Sequence, residues 1–114
     1  MGGVDIVLDD GSHNGRHQRA SLQALFPLLS VDGIYAIEDL HTSYWPGDWE
    51  GGYNRPGTGI ETIKQLLDDM HAWFHDKSET LIQKNEISGI HAYESLVFID
   101  KGRKKKPVAL EPAL

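Results

Sequence analysis

The stretch Val4-Asp5-Ile6-Val7-Leu8-Asp9-Asp10-Gly11 decides the fold. It is short, rich in β-branched residues and ends in a turn signal, so it predicts a strand. Ile6, Val7 and Leu8 are apolar on both faces, as in a strand buried on both sides. Beyond it, Leu22, Leu25, Phe26 and Leu29 recur at helical spacing and predict a helix from His17 to Leu29. Ser12 or Asn14 would cap that helix, and Pro27 would mark its last turn or a kink. Asp32-Gly33 reads as a turn before a second strand, Ile34-Tyr35-Ala36-Ile37, which runs into Glu38-Asp39.

A glycine-rich loop, Leu40 to Gly59, follows and holds Tyr44, Trp45, Trp49 and Tyr53. Loops of that length are uncommon unless functional or mobile. Ile60, Ile63, Leu67, Met70 and Phe74 then mark a second amphipathic helix. Polar residues Lys77 to Asn85 connect it to two strands, Ile87 to Tyr93 and Leu96 to Ile99, around a turn at Glu94-Ser95. The order strand, helix, strand, helix, strand, strand predicts an α/β sheet, parallel at first and closed by an antiparallel hairpin. Right-handed crossovers place both helices on one face. That leaves the other face and the edge of the first strand bare. The expectation is that the chain continues upstream in a parent protein, or that copies associate through that face or edge.

The chain has 114 residues, enough to bury a core without a disulfide or zinc staple. It contains no cysteine, which excludes thiol nucleophiles and Cys-ligated metals and fits a cytoplasmic setting. A diffuse net charge of -6 argues against nucleic acid as a partner. The basic run Lys101, Arg103, Lys104, Lys105 and Lys106 could serve an anionic partner but reads first as a solvated tail, giving a domain over 1–100 and a tail over 101–114. Met1-Gly2-Gly3 leads straight into a strand with no signal peptide, and no apolar stretch approaches a bilayer span.

The acids carry the chemistry. Asp9-Asp10 lies at the carboxyl end of the first strand and Glu38-Asp39 at that of the second, where open α/β sheets bind ligands. On neighbouring strands the four carboxylates would repel one another, and a hard divalent cation such as Mg²⁺ would relieve that repulsion. The spacing equally suits acids that merely cap helices and polarise turns. His13, just beyond the first tip, can take a proton at neutral pH, or can be a surface residue of the first helical turn. The pairs His13/His17 and His71/His75 have helical zinc spacing but no third nitrogen or sulfur ligand. His41, Tyr44, Trp45 and Trp49 are candidates for substrate contact, against the reading that one or two only anchor the loop.

Asp5-Ile6-Val7-Leu8-Asp9-Asp10-Gly11-Ser12-His13, Ala24-Leu25-Phe26-Pro27, Gly33-Ile34-Tyr35-Ala36-Ile37-Glu38-Asp39-Leu40 and Tyr44-Trp45 together resemble the metal-dependent macrolide-sugar O-methyltransferases of the mycinamicin and tylosin type. The resemblance covers roughly residues 4 to 100. It implies the carboxy-terminal half of a Rossmann-like, class I methyltransferase sheet. It also implies Mg²⁺ held by Asp10, Glu38 and Asp39, His13 as general base, and S-adenosylmethionine as methyl donor, with Asp9 near that cofactor. The implied substrate is a small molecule with adjacent hydroxyls, such as a sugar diol. The family's glycine-rich cofactor loop should lie upstream of Met1, and Gly47 to Gly59 lacks the strand–turn–helix context to replace it. The expectation is a chain that cannot form the full cofactor pocket alone. Two alternatives remain: a non-catalytic, self-associating fragment, and a Mg²⁺-dependent hydrolase using the same residues.

Overall fold

The computed structural model describes residues 4–75, 79–83, 85–103, 105 and 108. β1 (Val4–Asp9) leads to α1 (Gly15–Leu25), β2 (Leu29–Ile37), α2 (Gly59–Met70), β3 (Ile87–Tyr93) and β4 (Leu96–Lys101). The sheet order is β1-β2-β4-β3; β1 and β2 are parallel, and the other two pairs antiparallel. The expected α/β order therefore holds, with β4 rather than β3 against β2. Among the described residues no helix is long and apolar enough to cross a membrane.

One side of the sheet carries the core. Tyr35, Ile37, Val97 and Ile99 point toward Leu22 and Phe26 at α1 and Ile63 and Leu66 of α2, in a single buried cluster. Both helices thus cover the same face. The opposite face keeps its apolar pattern uncovered: Ile6 is 68% exposed, Leu8 57% and Tyr93 64%. Register places Ile6 beside Ile34, Leu8 beside Ala36, and Ala36 beside Phe98 on that face.

Local chemistry explains where the elements differ from the sequence expectation. α1 starts at Gly15, two residues before His17, because the Asn14 side chain accepts from the Arg16 N–H at 3.0 Å. A Cβ at Gly15 would lie 2.7 Å from Thr58 Cα, so glycine is needed for the close approach of the segment before α2. α1 ends at Leu25, not Leu29, because Pro27 has no N–H to donate and the chain tightens into a 3₁₀ turn, Phe26–Leu28. Leu29 belongs to β2. Asp32-Gly33 is not a turn before that strand but a bulge within it: Val4 pairs with Leu29, yet Ile6 pairs with Ile34. A Cβ at Gly33 would come 2.9 Å from the Asp5 carbonyl.

α2 begins with an N-cap, Thr58 accepting from the Glu61 N–H at 3.3 Å. Its buried face is Thr62, Ile63, Leu66 and Asp69, whereas Leu67 and Phe74 are exposed. The residues that follow the helix, of which 76–78 and 84 lie outside the described ones, are not simply polar connection, because Ile82 is buried. Asp69 holds them: its Oδ2 accepts from the N–H groups of Leu81 (2.8 Å) and Ile82 (3.2 Å). Burial raises the Asp69 pKa above the usual carboxylate value, outweighing those two donors.

Because the folded-state pKa is raised, folding favours the protonated form. The contribution of Asp69 to stability is fully present below its unfolded-state pKa and is lost as pH rises through the raised folded value. Asp69→Ala is expected to cost about 2–4 kcal/mol by orphaning two N–H groups, whereas Asp69→Asn keeps an acceptor and removes the pH-dependent decline. Urea melts across a pH series measure both. Equal losses in the two variants would refute the acceptor role.

Lys101 is the clearest departure. It is the last residue of β4 and is buried, not part of a solvated tail. Its Nζ donates to the carbonyls of Phe26 (3.1 Å) and Pro27 (3.0 Å) and lies 3.6 Å from Glu86 Oε2. A cation capping the carbonyls at the end of a helical segment is a favourable arrangement. Gly102 is buried too and bonds to the Glu86 carbonyl, so the packed unit runs past residue 100. Arg103 and Lys105 are exposed; Lys104, Lys106 and Pro107 lie outside the described residues.

Candidate metal and acid–base site

The parallel pairing of β1 with β2 brings the two acidic tips level. Asp9 lies opposite Ile37, and the Glu38 N–H donates to the Asp9 carbonyl at 3.2 Å, carrying the pairing one step beyond the strands. Asp10 to His13 and Glu38 to Asp39 therefore share one rim. After β1 the chain turns with the Gly11 N–H on Asp9 Oδ1 (3.3 Å). His13 and Asp39 both have left-handed backbone, φ 61° and 58°. Histidine and aspartate tolerate that region better than most residues.

The result is convergence. His13 Nδ1 lies 3.3 Å from Asp39 Oδ2, close enough for charge attraction but not aligned for a hydrogen bond. Asp10, His13 and Asp39 each offer a ligand atom, all within 4.8 Å of one another. Glu38 stands outside this trio but beside Asp10. The Asp10 charge, then burial, then the hydrogen bond to Asp10 and the charge of Asp39 raise its pKa above the usual carboxylate value, and His13 opposes them. Crowded carboxylates of this kind bind a proton or a cation to relieve their repulsion. Asp10, His13, Glu38 and Asp39 are thus together, with His13 rather than Glu38 in the tightest trio, whereas Asp9, the other carboxylate expected at the rim, lies against Tyr35. The donor set, carboxylate oxygens with an imidazole at its edge, fits a hard divalent cation.

Asp9 faces the helix side. Burial around Tyr35, and after it the charge of Asp9, raise the pKa of that phenol. With Asp10, Gly11, Ser21 and Leu25 it borders a cavity of about 340 Å³.

The loop over residues 40–59 is folded rather than irregular. A 3₁₀ turn, Leu40–Tyr44, and a second, Gly47–Trp49, are tied by Gly51 N–H to Trp45 O (2.7 Å) and Gly52 N–H to Ser43 O (2.8 Å). A Cβ at Gly51 would collide with three carbonyls, of Thr42, Ser43 and Trp45. His41, Trp45 and Trp49 stack edge-on, with ring centroids 4.8 and 5.8 Å apart. His41 Nδ1 also lies 2.7 Å from Ser95 Oγ. His41 and Tyr44 line a cavity of about 360 Å³ with Ile60 and Tyr93, and Trp49 a smaller one with Asn14, Arg16 and Arg55.

The remaining histidines are engaged with other partners, only His17 touching the rim, through Ser12. His17 Nδ1 lies 2.6 Å from Ser12 Oγ, His71 Nδ1 2.7 Å from the Leu67 carbonyl, and His91 Nε2 2.7 Å from Asp100 Oδ2. His75 Nε2 lies 2.8 Å from the Asp68 carbonyl. Two polar residues were invisible to the sequence reading. Thr42 bonds to backbone at both tips, and Gln18 donates to the Glu38 carbonyl at 3.5 Å. Neither falls in a motif or a periodic pattern, so no local signal marks them.

Comparison with known proteins places this geometry. No family model matches the chain. It is 42% identical over 108 residues to demethylmacrocin O-methyltransferase of Streptomyces fradiae, covering 89% of this chain and 27% of that protein. It is 41% identical over 110 residues to mycinamicin VI 2''-O-methyltransferase of Micromonospora griseorubida, covering 90% and 27%. A rhamnosyl-tetracenomycin-C 2'-O-methyltransferase of Streptomyces olivaceus is 35% identical over 105 residues, covering 89% and 28%. Among solved structures, the MycE methyltransferase of mycinamycin biosynthesis in complex with Mg and SAH superposes with a TM-score of 0.75 at 38% identity, over 87% of this chain and 27% of that one. The chain spans about a quarter of the length of the relatives it matches. Its four-stranded sheet has the fold of the corresponding methyltransferase segment.

Proposed function

We propose that this chain supplies the metal-and-base rim of a Mg²⁺-dependent O-methyltransferase acting on a hydroxyl of a sugar or similar diol. The observation that carries the reading is the convergence of Asp10, His13 and Asp39, with Glu38 beside them, at the carboxyl ends of two parallel strands. Support comes from relatives named for O-methylation and from a similar structure holding Mg and SAH.

Asp10, Glu38 and Asp39 would hold the cation, and a bound divalent ion lowers the pKa of a hydroxyl that coordinates it. S-adenosylmethionine would supply the methyl group. His13 takes the substrate proton on its imidazole. Asp39, 3.3 Å from Nδ1, stabilises the imidazolium that results. The rim thus orients the hydroxyl and receives its proton, leaving positioning as the main contribution to the rate. Asp9 is assigned to the cofactor side through the cavity it borders. His41, Tyr44, Trp45 and Trp49 offer aromatic faces to the substrate. The absence of cysteine supports a cytoplasmic setting.

A second reading has its own support in the uncovered apolar face of the sheet: a non-catalytic module that self-associates through that face or through the β1 edge. Calorimetric titration with Mg²⁺, then with S-adenosylmethionine in its presence, separates the readings when combined with light scattering for mass. Saturable Mg²⁺ binding is expected, and its absence would sink the metal reading. A stable dimer that binds neither ligand would favour the second. Hydrolysis of a phosphate ester or a glycoside without the sulfonium cofactor would point instead to a hydrolase.

A further inference from the structure

We infer that Thr42 is a positioning residue of this site: its hydroxyl clamps together the two left-handed turns that carry His13 and Asp39, and so sets the distance between base and metal ligand. The inference rests on the metal-and-base reading above.

Thr42 is only 3% exposed. Its Oγ1 lies 2.6 Å from the His13 carbonyl and 3.1 Å from the Asp39 carbonyl, so its one hydroxyl proton is shared between the two acceptors, nearer that of His13. The first bond joins residues 29 apart in sequence, bridging the turn after β1 to the turn after β2. Left-handed backbone at a non-glycine residue persists only where its surroundings hold it. The Cα–Cβ direction follows from the backbone dihedrals, so holding the carbonyls of residues 13 and 39 limits the positions that the imidazole and the carboxylate can reach through their rotamers.

The clamp is itself rigidly mounted. The 3₁₀ turn that carries Thr42 bonds to the hairpin through the Leu40 N–H on the Ser95 carbonyl (3.1 Å). It meets α2 through Ser43 Oγ, which accepts from the Ile60 N–H (3.1 Å). Outer-shell groups that orient metal ligands are typically worth about 10–100-fold in metal affinity. Thr42 occupies that place for Asp39, and it acts on His13 at the same time.

The test compares Thr42→Val, which keeps shape and loses the donor, with Thr42→Ser, which keeps the donor. Two readouts are taken on the full chain: Mg²⁺ affinity by calorimetry, and amide hydrogen exchange without metal at residues 11–14 and 38–41. In the valine variant, Mg²⁺ affinity is expected to fall about 10-fold. Exchange should quicken in both turns together while the β4 amides keep their protection. The serine variant should restore both readouts.

Unchanged exchange in Thr42→Val would overturn the clamp, as would equal losses in Thr42→Val and Thr42→Ser, which would assign the effect to the methyl group. If Thr42→Val does not fold, Thr42→Ala takes its place. Failure of both to fold would make Thr42 a residue of the core and overturn the inference. Wild-type protein that binds no Mg²⁺ would refute the metal reading alone, because the exchange comparison still decides the clamp.

Discussion

Replacing His13 by asparagine in a full-length methyltransferase carrying this segment is expected to lower kcat by about 10²–10⁴-fold, the usual worth of a positioned general base. Asparagine is chosen because it tolerates the left-handed backbone at φ 61°, so the turn is kept while the titratable ring is lost. Mg²⁺ affinity should stay within about threefold, since the ring contributes nitrogen at the edge of an oxygen donor set that a hard cation prefers. Single-turnover kinetics and calorimetry on the same preparation measure the two effects separately. A large loss of Mg²⁺ binding would recast His13 as a ligand, an arrangement compatible with its place in the tight trio. An unchanged kcat would remove it from the chemistry.

The second large effect is expected at Asp10. Asp10→Asn removes one charge from the rim. Unit charges about 4 Å apart attract by roughly 1–4 kcal/mol between bulk water and a protein surface, so Mg²⁺ affinity should fall by one to three decades. The same substitution has a metal-free signature. The Asp10 charge is the largest influence raising the Glu38 pKa, so without it the Glu38 carboxyl should titrate at lower pH. Carboxyl-carbon NMR over a pH series reads this directly. Undiminished Mg²⁺ binding would exclude Asp10 as a ligand, and an unmoved Glu38 titration would show that the two carboxylates do not interact.

How much of this could be read from the sequence depends on the range of each signal. The elements were legible because period and composition are local: alternation at Val97 and Ile99, helical spacing at Leu22 and Phe26, the Glu94-Ser95 turn. The acidic tips were legible because two strands of one crossover end in carboxylates. Boundaries were not, since an apolar residue such as Leu29 serves a helix or a strand equally well. Asp32-Gly33 has the chemistry of a turn and also of a bulge. Only the partner strand decides, through the register shift between Val4 and Ile6. Lys101 looked like the first residue of a basic tail because its partners, the carbonyls of Phe26 and Pro27, lie some 75 residues earlier. Thr42 was hidden for the same reason. Its chemistry is a contact with distant backbone, and a lone threonine in a loop announces nothing.

The bulge in β2 gives the two halves of that strand unequal tolerance to changes in chain length. Asp32 and Gly33 already stand outside the paired ladder, so a residue gained or lost near them alters the size of an existing kink. From Ile34 to Ile37 every residue is paired on both sides, with β1 and with β4. An insertion there would turn the core residues on one side of it, such as Ile37, out of the core. It would also slide Glu38 and Asp39 along the strand axis by about 3.3 Å, where metal coordination accepts an error of only about 0.2 Å. Homologous sequences should therefore vary in length before Gly33 and keep a fixed count from Ile34 to Asp39. That spacing acts as a ruler for the site, one that can be read in a sequence without any knowledge of its chemistry.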